Sequence, residues 1–282
     1  MNEPSPQLAA YLDRIGWTAP VAPDLATLAK LQRAHVEAIP FENLDVQLGR
    51  PPTRDPDAIF AKLVTARRGG WCYEMNGLFG RMLREIGFTV TPIAAGVMRQ
   101  LSGAATMGSH LCLLVRLERD YLVDVGFGGA LAAPLPLTEG GCEHAPKACV
   151  LRRTEDGYWR YAERSLAGGE PFGFDFRTEP ADEALLDRQC RWQGENQSSV
   201  FVQNLVVQRR DGERHLSLRG RILTELAVDG ESKRLVVDAG DIVSTLRERF
   251  DLDVPDAAML WPKIAARHDE VMAAQPPVLP TT

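Results

Sequence analysis

The period of the apolar residues changes near residue 88, and that change limits the chain to folds that join a helical part to a β part. Before it, apolar side chains recur at helical spacing. Leu8, Tyr11, Leu12 and Ile15 share one face of a helix over Gln7 to Ile15, ended by Gly16. Asp24 caps a second helix over Leu25 to Ala38. Asp55-Pro56 opens a third over Pro56 to Ala66, with proline at the first helical position. Gly69-Gly70 ends it, and Met75, Leu78, Phe79, Met82, Leu83 and Ile86 mark a fourth up to Gly87.

From Phe88 the runs are short and rich in Val, Leu and aromatics. Phe88 to Met98, His110 to Leu117, Tyr121 to Val125, Ala148 to Arg153 and Tyr158 to Tyr161 read as strands of an antiparallel unit such as a barrel. Arg164 to Arg191 reads mostly as loop. Ser199 to Arg209, His215 to Leu226 and Ser232 to Val237 read as further strands, with Asp211-Gly212 and Asp229-Gly230 as turns. Asp241 is the expected cap of a helix over Ile242 to Phe250, and another helix runs from about Pro255 to Met272 before a Pro-rich tail expected to fray. The fold class is therefore α+β, in the order helical, β, then α/β.

Two helices meet at Cys72. A cysteine at a helix start gains from the macrodipole and the free N–H groups there, and Arg67 and Arg68 bring positive charge nearby; all of these favour a thiolate. A lone buried cysteine is more often inert, so a base and an orienting group are needed. Of the five histidines, His144, His215 and His268 stand in polar surroundings and read as solvated, and His35 reads as a surface or satisfied helical histidine. His110 differs, because it stands at the mouth of the apolar strand Leu111-Cys112-Leu113-Leu114-Val115. Asp124 lies between apolar neighbours on the next strand, and a buried carboxylate needs a charged or hydrogen-bonding neighbour. A tight turn at Glu118-Arg119-Asp120 would leave His110 about four residues, roughly 13 Å, from the position opposite Asp124. A bulge, a coiled strand or another pairing has to close that gap. Gly126-Phe127-Gly128-Gly129 then reads either as a strand-ending turn or as a loop whose N–H groups approach a ligand.

Composition narrows the function classes. The formal charge is −6, and no basic run carries interleaved aromatics, so nucleic acid is not the expected ligand. No apolar run reaches a membrane span, and the first residues lack the regions of a signal peptide; the expected location is the cytoplasm. Five scattered cysteines without a C-x-x-C pair argue against a disulfide framework and against a zinc site, so the thiols are expected reduced.

The segments Ile39-Pro40-Phe41-Glu42-Asn43-Leu44-Asp45, Arg68-Gly69-Gly70-Trp71-Cys72-Tyr73-Glu74, Ser109-His110-Leu111 and Asp124-Val125-Gly126-Phe127-Gly128 come in this order and at these separations. Together they resemble the hallmark segments of the arylamine N-acetyltransferase family. Tyr11-Leu12-Asp13-Arg14-Ile15-Gly16, Phe201-Val202-Gln203-Asn204 and Gly220-Arg221 are similar too. The likeness is densest before residue 130. It implies a helical bundle over residues 1–87, a β-barrel over 88–195 and an α/β lid over 196–282. It also implies a catalytic triad of Cys72, His110 and Asp124, acetyl-coenzyme A as donor, and an arylamine or arylhydrazine acceptor. Ser109, Gly126, Phe127, Gly128 and Gly129 would contact the donor, and Phe41, Phe127 and Phe201 would line the acceptor pocket; no metal is implied. The expected reaction is ping-pong acetyl transfer of the kind used in xenobiotic metabolism. Its nearest rivals are an amide synthase or another acyltransferase or hydrolase built on the same three residues. A monomer or homodimer is equally compatible with the sequence.

Overall fold

The structure, a computed structural model, describes residues 4–50, 52–128, 131–166 and 168–274. The chain opens with α1 (Pro6–Arg14), whose first turn is closed by the Ser5 hydroxyl accepting from the Leu8 N–H. The helix α2 (Leu25–Ala38) follows, capped by Asp24 as its sequence requires. A two-residue strand β1 (Phe41–Glu42), a short α3 (Leu44–Gln47), α4 (Pro56–Phe60) with a π-helical turn over Ala61–Thr65, and α5 (Cys72–Ile86) complete the helical part. Met75, Leu78, Phe79, Met82 and Leu83 are buried along one stripe of α5, so the apolar period reports the packed face.

The β part contains β2 (Thr89–Val97), the four-residue α6 (Arg99–Ser102), β3 (Met107–Arg116), β4 (Asp120–Val123), β5 (Leu135–Pro136), β6 (Gly140–His144), β7 (Lys147–Arg153), β8 (Trp159–Ser165) and β9 (Gly168–Phe176). These strands form one antiparallel eight-stranded sheet in the order β5-β4-β3-β2-β9-β8-β7-β6, curled into a half-barrel. Strand β3 is buried on both faces. Leu111, Leu113 and Val115 pack on the helices, while Cys112 and Leu114 face the barrel interior with Phe174, Phe176 and Tyr161. That is why its sequence is continuously apolar rather than alternating.

The remainder comprises α7 (Glu183–Glu195), α8 (Val200–Gln203), β10 (Val206–Asp211), β11 (Arg214–Arg219), β12 (Ile222–Ala227), β13 (Gly230–Leu235), α9 (Ala239–Phe250), a 3₁₀ turn over Pro255–Leu260, and α10 (Trp261–Ala273). Its five-stranded sheet runs β1-β10-β11-β12-β13, so a strand from the helical part forms its edge.

Four sequence expectations change here. Arg164 to Arg191 is not mostly loop: it holds all of β9, whose exposed half masks its period, and most of α7, which buries only a narrow stripe, Leu186, Cys190 and Gln193. Ser199 to Arg209 begins as the helix α8, capped by Ser199, before extending. His215 to Leu226 is two strands joined at Gly220. The cap of α9 is Asp238, and Asp241 lies inside the first turn, where its carboxylate pairs with Arg234. The expected frayed tail lies outside the described residues.

Candidate active site

Cys72 is the first residue of α5, and its neighbours hold that helix start rigidly. The Glu74 carboxylate accepts from the Trp71 N–H at 3.1 Å, and Lys62 pairs with Glu74 at 2.8 Å and with Asp45 at 2.8 Å. Arg68 bonds Glu42 at 2.6 Å and Asp45 at 3.2 Å. Burial alone would discharge Lys62, but Glu42, Glu74 and Asp45 hold it protonated, above the usual lysine range. Arg68 is thus engaged by carboxylates beneath the helix, and its charge is already balanced there rather than directed at the Cys72 sulfur.

The hairpin register explains how His110 meets Asp124. Leu113 pairs with Val123, which puts position 112, not 114, opposite Asp124. The turn is as short as expected but lies one residue earlier, over residues 117–119, and only two residues, roughly 7 Å, separate His110 from that position. The chain leaves β4 after Val123, and the Asp124 side chain covers the rest: Oδ2 lies 2.6 Å from His110 Nε2. Asp124 Oδ1 accepts from Asn76 Nδ2 at 2.8 Å and from the Gly126 N–H at 2.8 Å. Cys72, His110 and Asp124 are 3%, 2% and 2% exposed. Burial disfavours the His110 imidazolium, but Asp124, by charge and hydrogen bond, and Cys72, in the same way, outweigh it and raise its pKa to about 10. With Nε2 committed to Asp124, Nδ1 is the nitrogen left for the sulfur.

Asn76 carries no role in the sequence reading. It stands four residues after Cys72, on the same helical face, and its Nδ2 also donates to the Leu111 carbonyl at 2.7 Å while its Oδ1 accepts from the Val125 N–H at 3.0 Å. Asn76 therefore ties the residue after His110, the residue after Asp124 and one carboxylate oxygen to the helix that carries the thiol. Tyr73 and Gln193 likewise carry no role in the sequence reading. Tyr73 Oη donates to the Gly108 carbonyl at 2.7 Å, and Gln193 Nε2 reaches Tyr73 Oη at 2.6 Å and the Ser109 carbonyl at 2.9 Å, clamping the entry to β3. The i, i+4 spacing was the available sign for Asn76; nothing local marks Gln193.

Gly126 is required by contact. A Cβ there would stand 2.6 Å from Cys72 Cα and 2.7 Å from Asn76 Nδ2. Gly128 adopts φ +72°, and a Cβ would meet Gln208 Oε1 at 2.1 Å. Its carbonyl accepts from His215 Nε2–H at 2.6 Å. His215 is therefore not solvated: it is buried, and its desolvation, with Lys147 nearby, holds its pKa well below 6.5 and its ring neutral. His35 is buried against the Tyr11 hydroxyl, while His144 and His268 are half-buried. Gly129 lies outside the described residues.

A cavity of about 1380 Å³ opens over these groups. Cys72, His110, Ser109, Gly126, Phe127 and Gly128 line its floor, and Phe41 and Phe201 line it too. Phe127 packs edge-on to His110 at 5.1 Å and stacks on Phe172 at 5.1 Å. Phe201 lies 6.0 Å from Phe41 and 5.7 Å from Trp71. The backbone carbonyl of Phe201 is held by Asn43 Nδ2 at 2.8 Å and by Gln47 Nε2. The Ser109 hydroxyl accepts from the Val97 N–H at 3.1 Å, so it serves the strand as well as the cavity wall. Arg219, Arg221, Lys263 and Arg267 line the cavity on the side of the second sheet.

The expectation of five reduced thiols fails at one place. Cys142 and Cys149 face each other on β6 and β7 and are joined as a disulfide, while Cys72, Cys112 and Cys190 are free. Widely scattered cysteines gave no sign of this, because the pairing comes from hairpin register and not from spacing.

Comparison with known proteins places the chain in context. A family model described as N-acetyltransferase matches residues 24–259. An arylamine N-acetyltransferase of Mycobacterium tuberculosis is 34% identical over 277 residues, covering 95% of this chain and 97% of the relative. One from Mycolicibacterium smegmatis is 36% identical over 264 residues, covering 89% and 94%. The solved structure of Mycobacterium marinum arylamine N-acetyltransferase in complex with CoA superposes with a TM-score of 0.83 at 33% identity, covering 94% of this chain and 99% of that one.

Proposed function

The chain belongs to the arylamine N-acetyltransferase family, and from that premise we propose that it carries acetyl groups from acetyl-coenzyme A to aromatic amines and hydrazines on Cys72. The observation that carries this reading is the buried 2.6 Å contact between His110 and Asp124 beside a cysteine at a helix start, on the floor of one cavity. Residues 1–87 supply the nucleophile, 88–195 the imidazole and carboxylate, and 196–282 the lid over the donor.

In this mechanism Cys72 and His110 rest as a thiolate–imidazolium pair, with Asp124 compensating the imidazolium. The sulfur attacks the thioester carbonyl of the donor. The Cys72 N–H, which as the first helical donor has no carbonyl one turn earlier, is placed to receive the developing oxyanion. The carbonyl re-forms as the C–S bond to coenzyme A breaks, and the departing thiolate takes the His110 proton. Neutral His110 then accepts the proton of the amine that attacks acetyl-Cys72, and the tetrahedral intermediate collapses to amide and free Cys72 thiolate. Thioester exchange is close to isoenergetic, so the acyl group keeps enough activation for a weakly nucleophilic arylamine. Phe41, Phe127 and Phe201 offer flat apolar walls to an aromatic acceptor. Ser109, Gly126, Phe127, Gly128 and Gly129 are assigned to the pantetheine side of the donor, and the basic side chains at Arg219, Arg221, Lys263 and Arg267 to its phosphates.

The cavity is larger than the ~300–1,000 Å³ typical of small-molecule sites, as a long donor and an acceptor together require. The test is release of free coenzyme A thiol from acetyl-coenzyme A across a panel of arylamines and arylhydrazines, with Cys72→Ala as control. Hydrolysis of esters or peptides with no release in the presence of any amine would replace this reading with a hydrolase.

A further inference from the structure

The hairpin of β6 and β7 carries three soft ligand atoms that acyl transfer does not use. Cys142 stands opposite Cys149 in register, and His144, two residues along β6, shares the face of Cys142. The two sulfurs and an imidazole nitrogen lie within 4.8 Å of one another. Cys149 is buried, and Cys142 and His144 are half-buried, so one side of the cluster is open to solvent. The Cα atoms of the two cysteines are 5.2 Å apart.

We propose that this hairpin, once its disulfide is reduced, binds a thiophilic divalent cation of the zinc type through Cys142, Cys149 and His144. Tetrahedral zinc takes Zn–S bonds of about 2.3 Å and a Zn–N bond of about 2.0–2.1 Å, which separates two bound sulfurs by about 3.8 Å. Cross-strand cysteines at this Cα separation reach that spacing by side-chain rotation, without moving the strands. Three protein ligands leave the fourth position for water, on the open side. In the first step a cellular thiol of the glutathione class reduces the S–S bond, two such thiols being oxidised to their own disulfide. In the second, the cation displaces a proton from each cysteine and forms two S–metal bonds and one N–metal bond, and two protons leave. Two thiolates and a dication sum to zero charge, so Arg33 and Arg210, the cations that bear on His144, do not oppose the loaded site. Arg210 also donates to the Ala145 carbonyl in the hairpin turn, tying it to β10. Lys147, two residues before Cys149, pairs with Glu163 at 2.6 Å, and both line the large cavity. The disulfide and the metal are thus two alternative clasps on a hairpin that forms part of the cavity wall.

The experiment is titration of the reduced, desalted full chain with cobalt(II), in a Cys72→Ala background that removes the most reactive other thiol. The expected result is one equivalent of cobalt with thiolate-to-metal charge-transfer absorption, displaced by zinc and absent from the oxidised chain. Cys149→Ser should abolish the band. His144→Ala, which keeps both thiols and changes a half-exposed side chain, should weaken binding at least about tenfold, since even outer partners of ligands cost that much. Absence of the band in the reduced chain, or a band indifferent to both substitutions, overturns the proposal. Neither outcome depends on acetyl transfer.

Discussion

Asn76 donates to Asp124 Oδ1 over 2.8 Å from a position one turn beyond Cys72, so the helix that presents the thiol also fixes the carboxylate. Asp124→Asn would remove the charge that compensates the imidazolium, and turnover should fall by on the order of 10³- to 10⁴-fold. Asn76→Ala leaves the charge but loses one buried hydrogen bond to it, worth about 1–3 kcal/mol, so a loss of about 10- to 100-fold is expected. Initial rates of coenzyme A release measure both. Equal losses in the two variants would mean that Asn76 is needed for folding and not only for orientation.

Gly126 touches both the thiol-bearing residue and Asn76. A methyl group at 2.6 Å from Cys72 Cα has no room unless the 124–128 segment moves, and overpacking of this kind costs about 1–3 kcal/mol. Gly126→Ala is expected to lower the urea midpoint and to reduce acylation of Cys72 more than acceptor affinity. Unchanged acylation kinetics would show that the segment yields freely.

The titration of His110 gives a stability signature with a definite sign. Its pKa is raised to about 10 by Asp124 against burial, compared with about 6.5 in an unfolded chain. The folded state therefore holds the proton more tightly, and the contribution of the pair is complete below about pH 6.5, declining as pH rises toward about 10. The difference in unfolding free energy between wild type and Asp124→Asn should narrow across that window. On the acid side His35, lowered to about 3 by burial, and His215, held well below its usual range chiefly by burial, act in the opposite sense. They remain neutral in the fold while the unfolded chain takes up their protons, so stability falls as pH drops below about 6.5, by about 1.4 kcal/mol per pH unit for each group. A stability profile flat between pH 5 and 6.5 would contradict this.

Phe127 joins the cavity wall to the imidazole through its edge-on contact and to Phe172 by stacking. Phe127→Ala should raise the KM for aromatic acceptors by about 10-fold or more, as the loss of an aromatic pair and its buried area requires. Small acceptors without a ring should be affected less. The ratio of the two effects is the measurement, and equal effects would place the acceptor elsewhere in the cavity.

Much of this site can be read from local sequence. Gly70 followed by an apolar helical stripe puts Cys72 at a helix start, and an isolated carboxylate among Leu122, Val123 and Val125 demands a neighbour. What stayed hidden depends on register and on distant chain. The gap of roughly 13 Å expected between His110 and the position opposite Asp124 narrows to roughly 7 Å because the turn pairs Leu113 with Val123, a choice no local rule forces, and the Asp124 side chain spans the rest. His215 looked solvated beside Arg214 and Asp211, yet β11 lies in the middle of the five-stranded sheet and turns that residue inward to the Gly128 carbonyl. The disulfide of Cys142 and Cys149 likewise follows from strand pairing. Gln193 reaches Tyr73 only because α7 packs back on the helical core, where a polar helix with one narrow apolar stripe was easily read as loop.

Acetyl transfer by this mechanism passes through acetyl-Cys72, and intact-protein mass spectrometry detects that species. Mixed with acetyl-coenzyme A and no amine, the chain should gain the mass of one acetyl group, mapped by peptide analysis to Cys72, and lose it when an arylamine is added. Cys72→Ala should gain nothing. Amide formation by wild type with no acetylated enzyme, or with the acetyl group on another residue, would contradict the mechanism.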